Sequence, residues 1–184
     1  MIFKGVEKAI VFAARAHEGQ RRKAGDAPYI AHPIAVGWIL NDQGCDEDVV
    51  TAGILHDTVE DSSVEMDDLE KTFGKRIASI VGYVTEPDKS ASWEIRKRRL
   101  LDRIKTAPVE AKYVYCADKL HNVQSMMELY QTYGDDLWAM FSRGFEQQKW
   151  YAQTAVESLF ANLDDRQLKP MFSELEQIVK EFFN

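Results

Sequence analysis

Apolar residues return every three or four positions along most of this chain. Val6, Ala9, Ile10, Ala13 and Ala14 share one face at helical spacing, which predicts a helix over residues 2–17. Residues 18–28 carry two glycines and a proline among charged side chains and read as a loop. The helical period resumes over about 31–43, 47–59, 67–73 and 75–85. Pro87-Asp88-Lys89-Ser90 interrupts it, and Ser92 is placed to cap a further helix running to about Arg103. Pro108 opens the next helix, and two more are expected near 135–160 and 165–182. There is no sustained strand alternation, repeat or low-complexity tract, so the expected fold is all-α, with about ten helices.

The helix expected over 47–59 continues into unusual chemistry. Leu55-His56-Asp57-Thr58-Val59-Glu60-Asp61 places a histidine and three carboxylates in seven residues, directly after the apolar run Val49, Val50, Ala52, Gly53, Ile54, Leu55. At 3.6 residues per turn, His56 falls over Glu60 and Asp57 over Asp61. A solvated helix end does not need that arrangement, whereas a metal site with an adjoining acid or base does.

Partners for such a site lie far away in sequence. Tyr29-Ile30-Ala31-His32-Pro33 sets a histidine at the start of the second helix. Tyr113-Val114-Tyr115-Cys116-Ala117-Asp118-Lys119-Leu120-His121-Asn122 sets an aspartate inside an apolar helical segment, where a carboxylate is costly to bury unless it is neutralised. His32, His56, Asp57 and Asp118 together form a ligand set of two nitrogens and two oxygens. That set suits Mn, Fe, Zn or Ni better than Ca and leaves positions open for water and substrate. Glu60 and Asp61 follow one turn beyond two of these ligands, where they can move a proton. Two carboxylates at a helix C-terminus oppose its dipole, which favours a functional reason for them.

These segments resemble the HD metal-dependent phosphohydrolases. More narrowly, the chain is similar to the (p)ppGpp hydrolase domain of RelA/SpoT-type enzymes and to the stand-alone small alarmone hydrolases. The resemblance is carried by HEGQRRKAGDAPYIAHP (17–33), LHDTVED (55–61) and ADKLHN (117–122), and by SWEIRK (92–97), GDDLWAMF (134–141) and QQKWY (147–151) for the single-domain members. It implies a helical HD bundle that binds Mn2+, or another divalent transition metal, through His32, His56, Asp57 and Asp118. It also implies removal of the 3′-pyrophosphate from (p)ppGpp to give GDP or GTP, with Glu60 and Asp61 serving hydrolysis. The cellular consequence would be removal of a stringent-response signal, without a synthetase half.

Substrate contacts follow from the same resemblance. Arg22 and Lys23 match a pair that contacts the nucleotide, Asn122 matches a position facing it, and Ser125 keeps the hydroxyl of a usual threonine. Gln124 replaces a usual arginine, so substrate identity does not carry over unchanged. Lys89 and Arg96 are expected partners for distal phosphates, and Trp150 and Tyr151 belong either to the nucleotide wall or to the core. His17 and His121 read as structural, His121 pointing about 100° away from Asn122 on its helix. The same chemistry on the adenine alarmones (p)ppApp, 2′-phosphate removal from NADPH, and a non-catalytic nucleotide sensor stay open. The acidic pair speaks against the sensor.

Composition narrows the remaining classes. At 184 residues the chain is expected to form one domain, residues 1–184, with a sizeable core. A net charge of −7 argues against a general nucleic-acid binder. Arg21-Arg22-Lys23 and Arg96-Lys97-Arg98-Arg99, with Arg103 and Lys105, nevertheless make two basic islands suited to a small polyanion. Of these, Arg98, Arg99 and Lys105 read as ordinary solvated charge. No apolar run reaches membrane-spanning length, and Met1–Glu7 lacks a signal-peptide core. Cys45 and Cys116 form no motif. The expected compartment is the cytoplasm. Trp138, Phe141 and Phe145 supply either core or a homo-oligomer contact.

Overall fold

The computed structural model describes residues 4–22, 26–86 and 90–184. Ten α-helical segments follow one another: α1 (Lys4–Ala16), α2 (Ala31–Asp42), α3 (Glu47–Leu55), α4 (Thr58–Asp61), α5 (Met66–Phe73), α6 (Lys75–Val84), α7 (Trp93–Lys105), α8 (Val109–Tyr133), α9 (Phe145–Phe160) and α10 (Pro170–Phe182). Two 3-10 turns, Gly134–Met140 and Asp165–Gln167, complete the described secondary structure. One isolated antiparallel bridge, Arg21 to Pro28, is the sole β-type pairing among the described residues.

The core is built around α3 and the first half of α8. Every residue of α3 from Val49 to Leu55 is buried, as are Ala111, Val114, Tyr115, Cys116, Ala117, Leu120 and Val123 of α8. α2 and α3 run antiparallel and lie unusually close because each offers a glycine at the crossing. A Cβ on Gly37 would come within 2.5 Å of Ile54, and one on Gly53 within 2.3 Å of Leu40. The close crossing brings the start of α2, with His32, beside the end of α3, with His56. Alanine at either glycine would force the buried Ile54 or Leu40 side chain to shift.

Local signals set the helix ends. Asp46 accepts from the Val49 N–H at 3.1 Å to cap α3, and Ser92 accepts from the Ile95 N–H at 3.4 Å to cap α7. Lys112, an apparently ordinary charge on α8, is buried. It donates to the carbonyls of Lys105 and Leu159 at 3.2 Å each, and to Ala161. Its ammonium thereby satisfies the exposed C-terminal carbonyls of α7 and α9 together.

The predicted helix over 47–59 is interrupted. α3 stops at Leu55, and Asp57 adopts φ −96°, ψ −6° before the single turn of α4. The Thr58 hydroxyl donates to the Leu55 carbonyl at 2.7 Å, which competes with regular helix bonding at the break. The helix expected near 135–160 is likewise divided. Gly134 takes φ +53°, the 3-10 turn ends at Met140, and extended backbone at Phe141 and Gly144 precedes α9. Helical periodicity does not reveal such breaks, because each half keeps an apolar face of its own. The aromatic residues there pack within the chain. Trp138 meets Phe145 at 5.0 Å, Phe182 at 5.9 Å and Phe183 at 6.2 Å between ring centroids.

Candidate active site

His32 lies in the first turn of α2, His56 and Asp57 at the break after α3, and Asp118 in the middle of α8. Their polar atoms converge. His32 Nε2 lies 3.5 Å from Asp57 Oδ2 and 3.2 Å from Asp118 Oδ1, and His56 Nε2 lies 3.1 and 3.7 Å from the same two oxygens. Ligand atoms held about 2.1 Å from an ion sit roughly 3.0–3.4 Å apart around a tetrahedron or octahedron. The spacing here therefore suits a shared cation. His32, His56 and Asp118 meet the geometry of a metal-holding group, with ligand atoms within 4.8 Å of one another. His56 Nε2 is buried and has no hydrogen-bond partner, an orphan that a metal would satisfy.

Each ligand is braced from behind. His56 Nδ1 donates to the Gly53 carbonyl at 2.7 Å, which directs Nε2 into the cluster. His32 Nδ1 lies 2.8 Å from Nδ1 of His121. If Nε2 of His32 gave its lone pair to an ion, its Nδ1 would carry the proton and His121 would accept it. Burial, together with His32 and Arg22, pushes His121 down to about 4, so it stays neutral in that role. His121, read from sequence as structural, is placed against the proposed ligand His32. Its 100° offset from Asn122 is what aims it at α2.

Tyr29 donates to Asp57 Oδ2 at 2.6 Å and lies 3.1 Å from Asp61 Oδ2, bridging a candidate ligand and a candidate proton carrier. Burial and the neighbouring carboxylates push its phenol far up, so it keeps its proton. Asp118 Oδ2 pairs with Lys119 Nζ at 2.7 Å, while Oδ1 accepts from Asn122 at 2.5 Å. Burial opposes charge on Asp57 and Asp118. The His56 imidazole for Asp57, and Lys119 with both imidazoles for Asp118, outweigh it and hold each below the usual carboxylate range.

A cleft of about 470 Å³ opens from this cluster. Glu60 and Asp61 stand at its metal end, and Arg22, Asn122, Ser125 and Tyr151 also line it. Glu60 accepts from the Glu86 backbone N–H at 3.2 Å, and burial, Glu86 and Asp57 push its carboxyl up. Arg22 donates to Asn122 Oδ1 at 3.0 Å from the bridged loop between α1 and α2. His17 holds that loop through Gln20, whose amide reaches the Asp61 carbonyl at 2.6 Å.

Other expected contacts are placed differently. Lys23 and Lys89 lie outside the described residues. Arg96 is tied to Glu86 and does not line the cleft, whereas its neighbour Lys97 both bonds Glu86 and lines it. Gln124 turns away to donate to Glu174 at 3.0 Å. Trp150 packs on Trp93 and Arg98, leaving Tyr151 as the wall. Sequence reasoning also missed Tyr29, Glu86 and Lys119, and placed Lys97 only within a basic island. A tyrosine three residues before His32 and a lysine beside Asp118 were the available signals.

Residues 9–143 match the family model described as HD domain. The zebrafish (Danio rerio) guanosine-3′,5′-bis(diphosphate) 3′-pyrophosphohydrolase MESH1 is 40% identical over 122 residues, covering 65% of this chain and 67% of that protein. A GTP pyrophosphokinase of Streptomyces coelicolor is 39% identical over 127 residues; the match covers 67% of this chain but spans only 15% of that protein's length. Among solved structures, a metazoan ortholog of SpoT described as hydrolyzing ppGpp superposes with a TM-score of 0.79 at 28% identity, covering 97% of this chain and 96% of that one. A Listeria monocytogenes EGD-e protein superposes at 0.77 with 37% identity, over 85% and 96% of the two chains. The chain belongs to the HD domain family, with the all-α fold of that family.

Proposed function

We propose that this chain is a metal-dependent pyrophosphohydrolase that cleaves the 3′-pyrophosphate from (p)ppGpp, giving GDP or GTP and pyrophosphate. The observation that carries the reading is the convergence of His32, His56, Asp57 and Asp118 at one end of a cleft whose same end holds Glu60 and Asp61. The names of the zebrafish relative and the SpoT ortholog support the substrate class. Residues 1–184 are proposed to act as one unit, in the cytoplasm, on a small-molecule nucleotide. No helix among the described residues is long and apolar enough to cross a membrane.

The two imidazoles and two carboxylates would hold the ion, with Mn2+ the proposed occupant because mixed nitrogen and oxygen donors suit it. Such an ion supplies Lewis acidity toward a phosphoryl oxygen and lowers the pKa of water. The chain's own residues do the rest. Water adds to phosphorus, the bond from phosphorus to the ribose 3′ oxygen breaks, and that oxygen needs a proton. Glu60, whose carboxyl is pushed up, is suited to carry it. Asp61, bridged by Tyr29 to Asp57, faces the same end and is proposed to orient the water. Arg22, in contact with the Asn122 side chain, is proposed to stack on the purine while Asn122 and Ser125 face the sugar and base. Lys23, Lys89 and Arg96 are proposed as further phosphate partners, Arg96 after exchange from Glu86.

The test is incubation of the Mn-loaded protein with ppGpp, ppApp and NADPH in parallel, resolving pyrophosphate from orthophosphate. Pyrophosphate from ppGpp is expected. Pyrophosphate from ppApp alone would change the purine, orthophosphate from NADPH alone would make this a cofactor phosphatase, and silence on all three would favour a sensor.

A further inference from the structure

Lys119 has been given a partner but no role so far. Its ammonium lies 2.7 Å from Asp118 Oδ2, the oxygen that does not face the histidines. The Tyr115 ring lies 4.9 Å from it and the Tyr151 ring 5.2 Å. The two tyrosines are joined, hydroxyl to hydroxyl, at 3.0 Å. Tyr151 also carries Lys97 at 4.8 Å from its ring centre. The lysine side chain, which also lines the cleft, is only 16% exposed and packs its ammonium against two aromatic faces and one carboxylate oxygen.

We infer that Lys119 is a positioning residue that keeps Asp118 a one-oxygen ligand, so that a coordination position stays open for water or substrate. The inference rests on the proposed metal site. A carboxylate can offer one or two oxygens to a divalent ion. With Lys119 and its tyrosine cage fixed on Oδ2, Oδ1 alone points at His32 and His56. Remove the ammonium, and Oδ2 is a buried anionic oxygen without a partner, a costly state that turning onto the ion would relieve. The ion would then gain a protein oxygen and lose a water. Loss of Lys119 would thereby alter coordination without removing a ligand.

The experiment compares wild type, Lys119→Met and Lys119→Arg, with Lys119→Leu as a second neutral side chain should the methionine variant not fold. Mn2+ affinity is measured by calorimetry, and the inner-sphere waters on bound Mn2+ by water-proton relaxation. The neutral variant is expected to keep its Mn2+ affinity within about tenfold yet lose one inner-sphere water, and its kcat for pyrophosphate release falls about 10- to 100-fold, the usual range for outer-shell partners. Arginine restores the wild-type water count. A neutral variant that keeps the wild-type water count overturns the inference while leaving the metal site standing. Wild type that binds no Mn2+ overturns both.

Discussion

The metal cluster and the cations beside it are built on different terms. At the metal end each proposed ligand has a fixed internal partner: the Gly53 carbonyl for His56, His121 for His32, Tyr29 for Asp57 and Lys119 for Asp118. The cations around it are instead engaged with groups that a phosphate or purine would have to displace. Lys97 and Arg96 are held by Glu86, and Arg22 by Asn122. The first set is organised before any ligand arrives, whereas the second exchanges partners when the ligand comes. Groups fixed in advance cost nothing to orient at the moment of reaction. Groups that exchange partners offset part of each new contact against an old one, which favours ligands carrying several negative charges.

The comparison can be broken most severely at the metal end. Asp118→Ala should remove bound metal and lower pyrophosphate release by ~10³-fold or more. Metal content by mass spectrometry beside the turnover assay checks it, and full metal retention would show that the ligand set is wrong. Glu60→Ala should lower turnover by about 10²- to 10⁴-fold while metal binding stays intact. Calorimetry separates that outcome from damage to the ligands. His121→Phe keeps the ring but removes the acceptor for His32, and should weaken metal affinity by about 10- to 100-fold without abolishing it.

Among the exchanging cations the effects are smaller and take another form. Arg22→Ala should raise KM by about tenfold and leave kcat nearly unchanged, as expected for a group that binds ground and transition states alike. A collapse of kcat instead would place Arg22 in the chemistry. The smallest effect concerns stability. Glu60 titrates above the ordinary 4.5 of a glutamate because burial, Glu86 and Asp57 disfavour its charge. A carboxyl with a raised folded-state pKa contributes stability below its unfolded pKa and loses it as pH rises through the folded value. In urea titrations of chelator-treated protein, wild type should therefore lose stability from pH 4.5 upward relative to Glu60→Gln. Parallel curves would mean that Glu60 is not strained by its surroundings.

The metal end was readable from sequence for a physical reason. Histidine and aspartate are expensive to place in apolar helices, so His56-Asp57 after α3 and Asp118 within α8 stand out against their surroundings. The helical period carried the fold class and most helix positions in the same way. What could not be read was pairing across the chain. That Lys97 and Arg96 meet Glu86, that His121 meets His32, or that Gln124 faces Glu174 depends on how distant helices rotate against each other. The break between α3 and α4 was hidden because His56 and Glu60 fit a continuous helix as well as an interrupted one. Lys112 shows the same limit in the core, since a lysine on a helix reads as solvated until three carbonyls from two other helix ends converge on it.

The central claim is that the four converging side chains hold a divalent ion on which pyrophosphate release depends. The direct measurement is to strip the protein with a chelator, return Mn2+ in steps, and follow pyrophosphate released from ppGpp against ion bound per chain. The account predicts no release from the stripped protein and a rise in proportion to site occupancy, absent in Asp118→Ala. Undiminished release from protein shown to be free of metal would contradict it.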